Sequence, residues 1–287
     1  MNLPFYKYEG LKNDFVIIDL RNAQESVPLE EILAPKVHRK LCERHSGIGA
    51  DGILLLKKGT HEPSLGQMIV INADGTRPQM CGNGVRCIAQ YLYDQAQVAL
   101  DTPFNIETDA GLKQMEIRSE GIRVDMGLAQ PWVDGKGTQL WGQKMSWAPK
   151  INTTEALRGW AVDMGNPHLV LRQKSDFQTI HVLGPAWATH PFFEEGVNVG
   201  FSELMGPQKL NLMVWERGSG ATWACGTGAC AAAVAWAHAE GWTGEIEVCL
   251  PGGALKIEVT EVESHMFQVF MTGPARRVYS GEFSLSD

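Results

Sequence analysis

Short apolar runs recur along the whole chain, at residues 15–20, 52–56, 67–71 and 115–118 in the first half. The second half repeats the style at 160–164, 168–171, 210–215, 246–250 and 255–259. Their length and their apolar, β-branched character predict strands, and 122–126 alternates apolar and polar positions as a half-buried strand does. Helical periodicity is scarcer; the best candidates are 29–41, 85–96 and 229–240. The stretch 127–131, Gly-Leu-Ala-Gln-Pro, follows the first run of strands and reads as a loop and domain boundary. Each half is then many strands with one helix that opens just after a cysteine.

Length and charge narrow the class. A chain of 287 residues exceeds the usual single-domain size and predicts two domains of roughly 130–150 residues. The net charge of −8 argues against a nucleic-acid or anionic-membrane surface. The first eight residues contain no apolar signal region, and no stretch approaches the length of a membrane span, so the expected location is the cytoplasm. Six cysteines in a chain this long are no secreted disulfide framework. Cys81/Cys87 and Cys225/Cys230 are too widely spaced for zinc pairs. Cys42, Cys87, Cys230 and Cys249 stand among apolar or helical neighbours and are expected to be core packing.

The remaining two cysteines carry the chemistry. Cys81-Gly82-Asn83-Gly84 has a near-copy at Cys225-Gly226-Thr227-Gly228, and each copy leads into a helical run. A thiol where a loop enters a helix lies beside unpaired N–H groups and the positive end of the helix dipole, which favour thiolate. Both thiols are therefore expected to have lowered pKa values and to face one another across a cleft. Inverting a carbon centre needs a base on one face and an acid on the other, and a thiolate–thiol pair supplies both. Glycines 82, 84, 226 and 228 let backbone N–H groups approach an anion closely. No nucleotide fingerprint, metal-ligand cluster or Schiff-base lysine setting is evident, so neither cofactor nor metal is expected.

These motifs, taken in order, resemble the diaminopimelate epimerase family of PLP-independent amino-acid racemases. The resemblance is carried by residues 10–15 (GLKNDF), 47–52 (GIGADG), 72–75 (NADG), 80–87 (MCGNGVRC), 164–168 (MGNPH), 196–199 (GVNV) and 216–218 (ERG). Residues 224–230 (ACGTGAC), 251–253 (PGG) and 272–275 (TGPA) complete it. It implies an α+β fold of two pseudo-symmetric lobes, each a mixed barrel-like sheet around a central helix. The lobes would comprise 1–127 with 273–287, carrying Cys81, and 128–272, carrying Cys225. It also implies epimerisation of LL- to meso-diaminopimelate for lysine and peptidoglycan synthesis, with a small amino-acid substrate and a homodimer left open. By resemblance Cys81 and Cys225 are the two catalytic groups, with His168 and Glu216 as their proton partners. Gly82, Asn83, Gly226 and Thr227 would bind the substrate's reacting carboxylate. Asn13, Asn72, Asn166, Asn198, Glu216 and Arg217 would hold the rest, the guanidinium suiting a distal carboxylate.

Several residues depart from the family pattern. Glu9 stands in place of the usual histidine, Lys12 of glycine, Gly52 of a glutamine found in some members, and Arg77 of a commonly acidic residue. Ala221 replaces a glutamate and is expected to alter the surroundings of Cys225. Because shell changes can retune specificity, a racemase of another amino acid, or a proline-racemase-like enzyme, stays open as an alternative. An amino-acid-binding protein without activity has no use for two such thiols, and a redox protein would carry C-x-x-C.

Overall fold

The computed structural model describes residues 2–22, 32, 34–61, 63–145 and 157–284. The chain forms two compact units, Met1–Val124 with Gly273–Asp287, and Asp125–Thr272.

The first unit contains β1 (Asn2–Gly10), β2 (Asn13–Asp19), α1 (Pro35–Cys42), β3 (Gly52–Lys57), β4 (Gln67–Asn72), α2 (Gly82–Asp94), β5 (Phe104–Thr108) and β6 (Gly111–Arg118). The start of β7 (Gly121–Pro131) and the returning β17 (Arg276–Ser284) complete it. β1 lies antiparallel to β17 and β2, β3 runs parallel to β2, β4 antiparallel to β3, and β5 parallel to β4. β6 and β7 follow antiparallel.

The second unit contains β8 (Trp141–Met145), β9 (Leu157–Asp163), β10 (Pro167–Arg172), α3 (Phe177–Ala188), β11 (Asn198–Gly206), β12 (Lys209–Glu216), β13 (Gly220–Thr222) and α4 (Gly226–Glu240). β14 (Gly244–Leu250), β15 (Gly253–Glu263) and β16 (Met266–Gly273) follow. From β9 to β16 the pairing repeats that of β1 to β7: antiparallel, parallel, antiparallel, parallel, then antiparallel twice. The later part of β7 pairs with β9, and β16 pairs back to β7, closing an eight-stranded barrel among the described residues. The fold is α+β, with the pairing order of the first lobe repeated in the second.

The duplication accounts for the hydrophobic pattern. In the second lobe Leu169, Leu171, Val199, Phe201 and Met213 face outward under α3, in one cluster with Ile180, Leu183 and Trp187. Val170, Leu212 and Val214 are buried on the opposite face. Strands covered on both sides need apolar residues at every position and read as unbroken runs. In the first lobe Val16, Ile18, Ile53, Leu55, Ile69 and Ile71 form the corresponding cluster with Leu41 and Cys42 of α1. By contrast β14 and β15 are open on one face and alternate. α4 is buried from Gly226 to Ala237 except Thr227, and it packs on β9, β10, β11, β12, β14 and β15. A helix apolar on all sides is one enclosed by its own domain.

Some sequence expectations need correction. Residues 127–131 are not a loop: β7 continues through them, turning at Gly127, whose φ is +86° and whose N–H is held by Asp125. α2 and α4 begin at Gly82 and Gly226, three residues before the apolar periodicity starts, because the cysteine itself is the N-cap. α3 escapes the pattern because Gly184 and Pro185 interrupt it. A Cβ on Gly184 would lie 2.6 Å from the Trp215 ring, so close packing explains the glycine. The expected helix at 29–41 is seen from Pro35, a favoured first-turn proline; 29–31 and 33 lie outside the described residues. Cys42, Cys87 and Cys230 are buried, but Cys249 is only half-buried, on the open face of β14, with its thiol on Glu247.

Candidate active site

Each central helix opens on its cysteine. Cys81 caps α2 with extended backbone (φ −136°, ψ 114°), and its Sγ accepts from the Gly84 N–H at 3.4 Å. Cys225 caps α4 in nearly the same conformation (φ −124°, ψ 111°), with Sγ 3.6 Å from the Thr227 hydroxyl. The helical ladders start from the two cysteine carbonyls, at Val85 and Ala229. The amides of Gly82, Asn83, Gly226 and Thr227 lie in the first turns, ahead of the first intrahelical bonds.

The absent side chains of Gly84 and Gly228 have local reasons. A Cβ at 84 would fall 3.0 Å from Leu54 of β3, and one at 228 would fall 3.2 Å from Val214 of β12 and 3.3 Å from the Cys225 sulfur. The first turns therefore press directly against the barrel strands.

In the first lobe the side chains around the thiol helix form a directed chain. Arg86, fully buried, donates to Asn83 Oδ1 at 2.7 Å and to the carbonyls of Gly82 and Pro274. Asn83 Nδ2 donates to Asn13 Oδ1 at 3.1 Å, and Asn13 Nδ2 donates to Asp51 at 2.9 Å. A guanidinium can only donate and a carboxylate only accept, so the two ends set which way both amides face. Asp51 and Asp14 share Arg44, and Asp14 also pairs with the buried Lys7. Burial works to raise the Asp14 pKa, but Arg44 and Lys7 hold it down to about 2. Asn72 stands apart from this chain, at the end of β4, donating to Thr76 Oγ1 at 2.9 Å.

In the second lobe the candidates meet at one end of the barrel. His168 is the second residue of β10 and lies in register with Asn198 at the start of the parallel β11. His168 Nε2 bonds Asn166 Oδ1 at 3.1 Å, which places the ring proton on Nε2. Burial holds its pKa down to about 3, so the ring is neutral. Asn198 accepts from the Arg217 backbone at 2.8 Å, and the Arg217 guanidinium reaches out to the Glu195 carbonyl at 3.0 Å. Glu216, the last residue of β12, lies near enough to Cys225 for its charge to bear on the thiol, and it accepts from Thr222 Oγ1 at 2.6 Å. Burial raises the Glu216 pKa.

The expected thiolate does not hold at Cys225. Burial and then the charge of Glu216 push its pKa well above the ordinary thiol value, outweighing the Thr227 hydroxyl and the Gly228 N–H. The thiol rests protonated because desolvation at a fully enclosed cap outweighs the helix dipole.

The departures from the family pattern are also explained in part. Leu11 and Lys12 occupy a two-residue hairpin turn with φ of 57° and 66°. Glu9 tethers it, accepting from the Lys12 N–H at 2.9 Å while pairing with Arg276. A Cβ at Gly52 would fall 2.7 Å from the Ile71 carbonyl, so this backbone admits no larger residue there. Arg77 forks onto Asp109. Ala221 lies opposite Trp215 in register, on the sheet face that packs under α3, so it does not line the Cys225 side as expected. Asp51, Arg86 and Thr222 also belong to the site's support; Asp51 and Arg86 sit inside motifs quoted above and Thr222 between two of them, but only the fold supplies their partners.

Among the described residues, no helix is long and apolar enough to cross a membrane, and no group of three or more His, Cys, Asp or Glu side chains is arranged to hold a metal.

The diaminopimelate epimerase family model matches residues 5–132 and 160–278. The chain is 39% identical over 292 residues to the diaminopimelate epimerase of Moorella thermoacetica, covering 99% of this chain and 100% of that one. It is 38% identical over 292 residues to the chloroplastic enzyme of Oryza sativa subsp. japonica, covering 97% of this chain and 79% of that one. Solved structures share the fold at much lower identity. A hydroxyproline epimerase from Agrobacterium vitis superposes with a TM-score of 0.70 at 14% identity, over 100% of this chain and 93% of that one. A PhzF-family phenazine biosynthesis protein from Bacillus anthracis gives 0.67 at 14% identity, over 99% of both chains.

Proposed function

The chain belongs to the diaminopimelate epimerase family of isomerases, and on that premise we propose that it interconverts LL- and meso-diaminopimelate by a two-base reaction at one α-carbon, serving lysine and peptidoglycan synthesis. The observation that carries the reading is the pair of cysteine N-caps, each opening the central helix of a duplicated lobe. One thiolate takes the α-proton and the other thiol delivers one to the opposite face. The first-turn amides of Gly82, Asn83, Gly226 and Thr227 are suited to the carboxylate on the reacting carbon, where negative charge develops.

Cys225, protonated at rest, is the ready acid. To serve as base in the reverse direction it must shed its proton, and Glu216 is the neighbouring carboxylate whose charge bears on it. With its own pKa raised by burial, Glu216 is a stronger base than an ordinary carboxylate. His168, neutral and tied to Asn166, is the corresponding uncharged proton partner. Asn13, Asn72, Asn166, Asn198 and Arg217 bind the remaining ammonium and carboxylate groups.

The test is α-hydrogen exchange in heavy water, with diaminopimelate first and other amino acids after it. Early deuterium should appear in the product isomer, and Cys81→Ser or Cys225→Ser should each abolish epimerisation, since an alcohol is a far weaker acid than a thiol. A Cys225→Ser variant working at near wild-type rate would end the two-base reading. Exchange on another amino acid but not on diaminopimelate would reassign the substrate.

A further inference from the structure

The short strand β13 is explained by neither the barrel nor the thiols. It pairs with β12 so that Thr222 lies opposite Val214 and Gly220 opposite Glu216. Residues directly opposite, and those two apart, share a sheet face. Val214, Glu216, Gly220 and Thr222 therefore line one face, the one on which Val214 meets the first turn of α4 at Gly228. Gly220, at φ +77°, puts no side chain opposite Glu216. The carboxylate can then lean along the diagonal to Thr222, whose hydroxyl donates to Oε1 at 2.6 Å. A carboxylate at a strand end otherwise turns freely about its last bond, because that torsion has only a broad preference.

We propose that Thr222 is a positioning residue: its hydroxyl fixes the Glu216 carboxylate in the orientation that exchanges a proton with the Cys225 thiol. This rests on the reading of Glu216 given above. The threonine methyl cannot supply the effect, and neither can an apolar residue of the same shape. Serine can. The first half of the chain offers a contrast at the matching strand end. There Asn72 donates to Thr76, so the corresponding side chain is an amide that does not titrate. The hydroxyl–carboxylate pair thus belongs to the Cys225 half-site, where a proton has to be moved on and off a thiol of raised pKa.

The experiment compares Thr222→Val, Thr222→Ser and Glu216→Gln, each assayed for kcat, KM and the pH dependence of kcat/KM, with thermal unfolding as a control for folding. A hydrogen bond to a charged group corresponds to roughly a tenfold to hundredfold effect, so Thr222→Val should lose about that much kcat with KM little changed. Removing the donor destabilises the carboxylate, so the acid limb of the profile should move to higher pH. Thr222→Ser should recover most of the rate and the original limb. Wild-type kcat and limb in Thr222→Val, with Glu216→Gln inactive, would overturn this inference alone. So would a Thr222→Ser variant as impaired as Thr222→Val at unchanged unfolding temperature. A fully active Glu216→Gln would overturn the role of Glu216 itself and the inference with it.

Discussion

Alanine at Gly228 separates packing from chemistry. Its Cβ would stand 3.2 Å from Val214 Cγ2, 3.3 Å from Cys225 Sγ and 3.4 Å from Cys225 Cβ. Comfortable contacts between such atoms lie at about 3.5–4.0 Å, so the sulfur or the methyl must yield by ~0.3 Å. Replacing glycine in a helix returns up to about 1 kcal/mol, whereas crowding a packed core costs about 1–3 kcal/mol. The two nearly offset, and the net destabilisation should be no more than about 2 kcal/mol. Activity has no such offset. A misplacement of about 1 Å is worth roughly a hundredfold in rate, so ~0.3 Å at a reacting sulfur implies roughly a threefold to tenfold loss. Gly84 is the control: its added Cβ would press first on Leu54, 3.0 Å away and fully buried, and would meet Cys81 first at its Cβ, at 3.4 Å. Gly84→Ala should therefore lose stability while keeping its rate per folded molecule. The assay pairs urea unfolding with α-hydrogen exchange at saturating substrate. A wild-type rate in Gly228→Ala, or a larger rate loss in Gly84→Ala, would refute the assignment of these two contacts.

Lys12→Gly should stabilise the protein by about 0.5–1 kcal/mol, because φ of 66° strains a residue with a side chain; an unchanged or lower unfolding midpoint would count against it. Asp14 has its folded pKa depressed from 3.8 to about 2, so its contribution is complete above the unfolded value and is lost as pH falls through that window. Urea unfolding between about pH 4 and pH 2 should show wild type losing about 2 kcal/mol through this group, with a shallower fall in Asp14→Asn. Arg217→Lys should raise KM about tenfold or more at unchanged circular dichroism, since an ammonium cannot reproduce a guanidinium fork; unchanged KM would show that no carboxylate binds there.

Most of the architecture was legible where strands are covered on both faces or alternate cleanly, as at 53–56, 168–171 and 246–250. β17 was not, because it buries no residue and only its pairing with β1 shows it to be a strand. The Asp176 N-cap on the Thr179 N–H was a local sign of α3, masked by its internal glycine and proline. The site residues themselves stood out as motifs, but their partners did not. Nothing in the string links Arg86 to Pro274, or Thr222 to Glu216 across a turn.

The sequence by itself determined the duplication, the two cysteine-led helices and the family, because these depend on local order: a cysteine, a glycine turn, an apolar helix. Tertiary structure decided the electrical state of the groups. A helix N-terminus favours thiolate wherever it occurs, but Cys225 is enclosed by its own barrel beside Glu216, and desolvation reverses the sign. It also decided that Ala221 turns away from the thiol while Thr222, one residue on, turns toward it. Register sets the face each residue takes, and burial sets the cost of a charge; both are properties of what lies opposite in space, which the order of residues does not contain.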